Sequence, residues 1–422
     1  MTKRNALAAL VAISITTISV GRVLRAQSQA AGMVSMASPA AAGSAQPQLT
    51  VSSRGVLLSW IERSGDTATL KFAERRGGGW TAAQTVASGS DWFVNWADVP
   101  SVIRLADGSL YGHWLQKSGP DTYAYDVRLA RSTDDGRTWT TSFTPHTDGT
   151  KTEHGFASLF QMPGAGLGLV WLDGRGMKAG HGEHGGGAMS VRGAIYDPAG
   201  KQIAEGPVDL RVCECCPTAA AVTADGPIVA YRDRSDTEIR DIYVSRLMSG
   251  KWSEPVPVHR DNWQIAACPV NGPALSANGK SVVLAWFTAK GDEGHSFAAF
   301  SSDSGRTFGA PVRLDDASAL GRVDVALLDD GSAAATWIEF AEGKSQFRMR
   351  RITAAGERSA AVTVSALAAG RTSGYPRMAR SGDELVFAWT ESGTPSKVTT
   401  ARVAVPKVAP TSAAGGLSPI IR

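Results

Sequence analysis

The 422-residue sequence predicts an all-β fold, a β-propeller of four-stranded antiparallel blades, seven in number with six as the alternative. Three observations predict it. An apolar strand, a turn and a second strand ending in an aromatic recur seven times, at Trp60, Trp114, Trp171, Tyr231, Trp286, Trp337 and Trp389, with spacings of 54, 57, 60, 55, 51 and 52 residues. A fixed period of this size built from short strands is the sequence signature of propeller blades. The chain also holds 46 Gly, and glycine supplies the positive φ that tight turns need. Finally, 43% hydrophobic against 19% charged residues is enough to bury a large core, which argues against a disordered polymer.

Taken in order, the amino terminus reads as an export signal. Lys3 and Arg4 precede an apolar run from Ala6 to Val20, and small residues follow at Ser28 and Ala30. This assigns 1–30 as a signal peptide cleaved after Ala30, with an uncleaved anchor as the alternative and the protein exported to the periplasm or secreted. The run is too short for a confident span, and no membrane span beyond the leader is expected. Residues 31–45 read as a flexible linker, 46–405 as the propeller and 406–422 as a solvated tail. Lys3, Arg4, Arg22 and Arg25 account for the formal charge of +4; without them 39 basic and 39 acidic groups remain. A balanced charge of this kind gives no footprint for nucleic acid or an anionic membrane surface.

Each unit opens with a strand pair: QLTVSSRGVLLSW, SVIRLADGSLYGHW, ASLFQMPGAGLGLVW, TAAAVTADGPIVAY, ALSANGKSVVLAW, VDVALLDDGSAAATW and RMARSGDELVFAW. The last unit shows only three strands, so closure needs one from the other terminus, and GMVSMAS near Gly32 is the candidate. In the second and fifth units the third strand ends in a specific turn, from Ser132 to Trp139 and from Ser301 to Phe308, both fitting S-x-D-x-G-x-T-[WF]. The Asp carboxylate can accept N–H groups of the turn, Gly takes the positive φ and the aromatic packs the turn onto the blade. On these turns the chain resembles the sialidase-like (BNR, or Asp-box) β-propeller superfamily over residues 46 to 405. The resemblance implies a fold and leaves activity open.

In such a propeller the loops entering the inner strands lie on one face, and that is where the chain gathers its cysteines and most of its histidines. Cys213, Cys215 and Cys216 form CECCP before one inner strand, and Cys268 opens CPVNGP before the next. For an exported chain this can be disulfide bonding. The alternatives are a soft-metal site, since thiolates suit copper(I) and zinc, and an unpaired redox thiol. The loop after Trp171 places Met177, His181 and His184 in a Gly-rich stretch, and His154 opens the inner strand of the same blade. Imidazole and thioether are ligands copper accepts; the alternative is a solvated loop. The metal candidates are therefore Cys213, Cys215, Cys216, Cys268, His154, Met177, His181 and His184, and the cofactor copper or zinc.

The competing reading is glycan hydrolysis by an exo-α-sialidase-type enzyme. The resemblance implies three arginines holding a substrate carboxylate, a Tyr nucleophile activated by Glu, and an Asp acid/base; the arginine fork fits a carboxylate. Candidates are Arg232, Asp233, Arg234, Glu238 and Arg240, packed into one strand-connecting loop, and Tyr375; the alternative for the loop is a salt-bridged rim. The chain departs from the family at one point: the first arginine belongs to an F/Y-R-I-P element, and the corresponding QPQLT has none. A third reading is a protein-interaction scaffold. Expected partners are a metal ion or small ligand at this face, with a glycan or a protein partner as alternatives.

Overall fold

The computed structural model describes residues 32–177 and 187–405. They form seven antiparallel sheets arranged as the blades of one propeller, with two short 3₁₀ turns, Lys290–Asp292 and Gly370–Ser373, as the helical elements. No helix among the described residues is long and apolar enough to cross a membrane. The third blade shows the plan: inner strand His154–Gln161, then Leu167–Asp173, Met189–Tyr196 and outer strand Gln202–Val212, each paired with the next. In the second blade three strands, Ser101–Arg104, Leu110–Lys117 and Tyr125–Ser132, pair fully, and Phe143 bridges Leu129 in the position of a fourth.

The seven repeating aromatics all lie on the second strands and are at most 8% exposed. Several also carry a polar contact: the indoles of Trp60, Trp171 and Trp337 donate to Glu62, Asp173 and Glu339, two residues on, each at 2.8 Å. Hydrophobic packing lies between blades. Val170, Leu172 and Val191 of the third blade pack with Val229 and Tyr231 of the fourth, and Val283 and Ala285 of the fifth with Val325 and Trp337 of the sixth. A sheet buries both faces only if it has two neighbours, so the ring must close.

Closure uses GMVSMAS, the candidate closing strand, which lies inside the segment otherwise read as a flexible linker. Val34–Met36 pairs antiparallel with Thr400–Arg402 and supplies the outermost strand of the seventh blade. The linker reading of 31–45 is corrected there: a run of small residues without obvious β pattern becomes a strand because the last blade offers it an open edge. Further bonds seal the seam, from Gly43 N to Ser396 O at 2.8 Å and from Val398 N to Ser44 Oγ at 2.9 Å.

The two specific turns adopt the expected geometry. Thr138 donates its N–H and its hydroxyl to Asp134 at 2.9 and 2.7 Å, and Thr307 does the same to Asp303 at the same distances. Gly136 and Gly305 take φ of 83° and 76°. The inner strands enclose a central channel of about 780 Å³, lined by small side chains such as Ser101, Ser158, Ala220 and Ser276.

Candidate functional site

The cysteines gather where the fourth and fifth blades begin. Cys213 follows the outer strand of the third blade, Cys215 and Cys216 precede the inner strand Ala219–Thr223, and Cys268 lies in the connection leading to Ala274–Asn278. All four are free. Cys213 Sγ is 3.8 Å from Cys215 Sγ and 3.5 Å from Cys216 Sγ, and Cys215 also hydrogen-bonds Cys268. Arg240, 3% exposed, donates to Cys213 Sγ at 3.2 Å and to Glu214 at 3.0 Å. Burial alone would push the Cys213 thiol up, but hydrogen bonds from Cys215 and Cys216, together with the Arg240 guanidinium, hold it well below its ordinary value. The cluster therefore contains one favoured thiolate, with its neighbours as S–H donors. Thiolates are the form that binds a metal, and an ion entering here replaces those shared protons.

Backbone contacts fix the two cysteine loops against each other. Gly272 lies so close to Pro217 that a Cβ on it would be 2.0 Å from the Pro217 carbonyl oxygen. Arg232 and Tyr375, both candidates for substrate chemistry, hold the Cys268 loop instead. Arg232 is 1% exposed and donates to the carbonyls of Asn271 (3.0 and 2.8 Å), Arg240 (2.6 Å) and Phe287 (2.8 Å), with its guanidinium over Trp263. Tyr375, 2% exposed and stacked on Trp96, donates to the Val270 carbonyl at 2.5 Å. Its phenol is pushed up, first by burial and then by Cys216, and no carboxylate activates it.

The remaining candidates form an ion-pair network. Arg234 pairs with Glu214 and with Glu238 at 2.6 Å, and Glu238 also binds Arg240 at 2.8 Å. Asp233 is pushed up to about 7 by burial, with Asp209 and Asp241 adding to it. Arg232, Arg234 and Arg240 are thus engaged with carbonyls, carboxylates and a thiolate, and they form no open carboxylate clamp.

His154 joins a different set from the thiols. It and His146 stack in parallel, centroids 3.8 Å apart, among Asp126, Asp148 and Asp173. Met177 is half-buried against the apolar cluster of the third and fourth blades. His181 and His184 lie outside the described residues.

Between the imidazoles and the thiols stands an acid group that the sequence reading did not single out. Glu153, next to His154, accepts from the Tyr125 hydroxyl at 2.6 Å. Burial pushes Glu153 up to about 7. Asp98, 1% exposed at the channel wall, accepts from Phe156 N at 2.7 Å and is pushed up to about 8 by burial. Gly155 makes this contact possible, since a Cβ there would be 2.2 Å from Asp98 Oδ2. Burial thus favours the protonated form of Asp98, and its Oδ1 has no hydrogen-bond partner.

No protein-family model matches the chain, and no curated protein matches it. Solved structures do. A protein of unknown function from Dyadobacter fermentans is 13% identical with a TM-score of 0.52, covering 89% of this chain and 99% of that one. The polysaccharide lyase Uly1 is 9% identical with a TM-score of 0.52, covering 86% and 90%. A variant of the NanB sialidase from Streptococcus pneumoniae is 8% identical with a TM-score of 0.47, covering 88% and 94%. At these identities the likeness shows the fold alone, a β-propeller.

Proposed function

We propose that this protein is an exported sialidase-like propeller that binds a soft metal ion, copper or zinc, in a thiolate site at the mouth of the fourth and fifth blades. One observation carries the reading. Cys213, Cys215 and Cys216 bring their sulfur atoms within 4.8 Å of one another, Cys268 reaches Cys215, and Arg240 stabilises a thiolate among them. Sulfur ligands select copper(I) and zinc over calcium and magnesium. Metal analysis of purified, reduced protein and titration with copper(I), zinc, calcium and magnesium test it. The expected result is one tightly held soft ion per chain at the thiolates, lost when Cys215 and Cys216 are both replaced by Ser and retained on substitution of His113, a buried residue of the second-blade strand Leu110–Lys117, by Ala. No copper or zinc binding under reducing or oxidising conditions overturns the reading.

A second reading, glycan cleavage, draws support from the Tyr125–Glu153 pair near Asp98 of the channel wall, groups able to move protons. It borrows a substrate class from the lyase Uly1. Sialosides are disfavoured, because the R-x-P arginine is absent and the other clamp candidates are engaged. Incubation with a panel of acidic polysaccharides and an α-sialoside separates the readings: polysaccharide cleavage lost in Glu153→Gln supports the second, and efficient sialoside turnover contradicts both accounts of the arginines.

A further inference from the structure

We infer that Asp126, His146 and His154 form a second cation site, distinct from the thiols, that takes a divalent ion of borderline softness, with zinc the best match. The residues come from three places: Asp126 from the third strand of the second blade, His146 from the connection that follows, and His154 from the start of the third blade. Their ligand atoms lie within 4.8 Å of one another, as do those of Asp148, His154 and Asp173. Asp126 Oδ1 is 3.5 Å from His154 Nδ1 and 3.8 Å from His146 Nε2. Tetrahedral zinc with bonds of about 2.0–2.1 Å keeps its donor atoms roughly 3.3 Å apart, so small movements close the set.

Two features point to an ion. Asp126 Oδ1, His146 Nε2 and both ring nitrogens of His154 are buried and make no well-aligned hydrogen bond: His154 Nε2 lies 3.3 Å from Asp148 Oδ2 and its Nδ1 3.5 Å from Asp126 Oδ1, and the His154 and His146 side chains are 0% and 5% exposed. Orphaned polar atoms at this depth are costly, and native structures satisfy nearly all of them. The charge is also unbalanced. Asp126, Asp148 and Asp173 face one guanidinium, Arg175, which binds Asp173 at 2.7 Å and Asp148 at 3.3 Å and also approaches Glu205 at 3.6 Å; Glu205 pairs mainly with Arg192 at 2.6 Å. Four carboxylates thus face two guanidiniums, an excess of negative charge that a cation offsets. Imidazole with carboxylate suits zinc and its first-row neighbours, whereas copper(I) prefers sulfur and calcium prefers oxygen alone. The Asp126 side chain, 21% exposed, leaves a route of entry. A ring nitrogen's lone pair lies in its ring plane, so one of the two rings, now 8° from parallel, must tilt when the ion binds.

Cobalt(II) titration of the reduced full chain tests this, because thiolate-bound cobalt shows sulfur-to-metal charge-transfer absorption and an imidazole–carboxylate site does not. The expected result is a cobalt equivalent without charge-transfer absorption, displaced by zinc, and absent from Asp126→Asn and His146→Gln while the thiolate signal persists. In the Cys215→Ser, Cys216→Ser variant the charge-transfer signal should vanish and this equivalent remain, so the two sites fail independently. A wild-type chain that binds no such equivalent overturns the inference, as does a folded Asp126→Asn or His146→Gln variant that keeps it. Should a variant not fold by circular dichroism, the wild-type titration alone decides.

Discussion

Asp98 and Arg232 show how much a single buried polar side chain controls. An Asp in an unfolded chain titrates near roughly 3.9, whereas Asp98 is pushed up to about 8. Between these values the folded chain holds the extra proton. The stability tied to it is full below the unfolded value and lost as pH rises to the folded one, at about 1.4 kcal/mol per pH unit. Glu153, pushed up to about 7, adds to the same slope. Melting temperatures measured across this range should fall with rising pH in the wild type and fall less steeply in Asp98→Asn, which keeps an acceptor for Phe156 N; parallel profiles would contradict the assignment. Arg232→Met leaves the carbonyls of Asn271, Arg240 and Phe287 without the donors they now have. At about 1–3 kcal/mol per buried unsatisfied group, urea denaturation should show a loss of roughly 3 kcal/mol or more. Soft-metal affinity should fall with it, because the Cys268 loop loses its anchor.

At the scale of loops and strands, the contact between the CECCP and CPVNGP segments is the critical one. Gly272→Ala drives a Cβ into the Pro217 carbonyl and should cost on the order of 1–3 kcal/mol. It should weaken the thiolate site more than Gly206→Ala, placed where a Cβ meets nothing within 4 Å; equal metal affinities in the two variants would show that the loops do not set the site. The cysteines could be read in the sequence because Cys is rare here and each group heads an inner strand. The aromatic period likewise gave the blade count, since one buried ring per second strand is needed to fill each interface between blades. The imidazole–carboxylate set could not be read. Asp126, Asp148 and Asp173 are three acidic residues among 39, and only the packing of one blade on the next brings them together. Arg232 was misleading for a related reason: a run rich in Arg, Asp and Glu looks like a solvated rim, and nothing in its composition reveals that one guanidinium turns inward to carbonyls.

The whole molecule behaves as a ring in which every blade packs on two others, and the Val34–Met36 strand is where it is fastened. Removing residues through Ser38 strips the seventh blade of its outer strand and exposes the edge of Lys397–Ala404. The melting temperature should drop by several degrees, and far-ultraviolet dichroism and tryptophan fluorescence should still report one shared midpoint, because a ring opened at its seam has no blade that stays fully packed. Separate midpoints for the two signals would show that blades unfold on their own.

That fastening strand also imposes an order in time. Val34–Met36 leaves the ribosome long before its partner, Thr400–Arg402. The early strand must therefore wait, unpaired, through the synthesis of more than three hundred residues before the circle can be completed. A chain stopped before Thr400–Arg402 cannot close its ring, so closure reports that the last blade has been made.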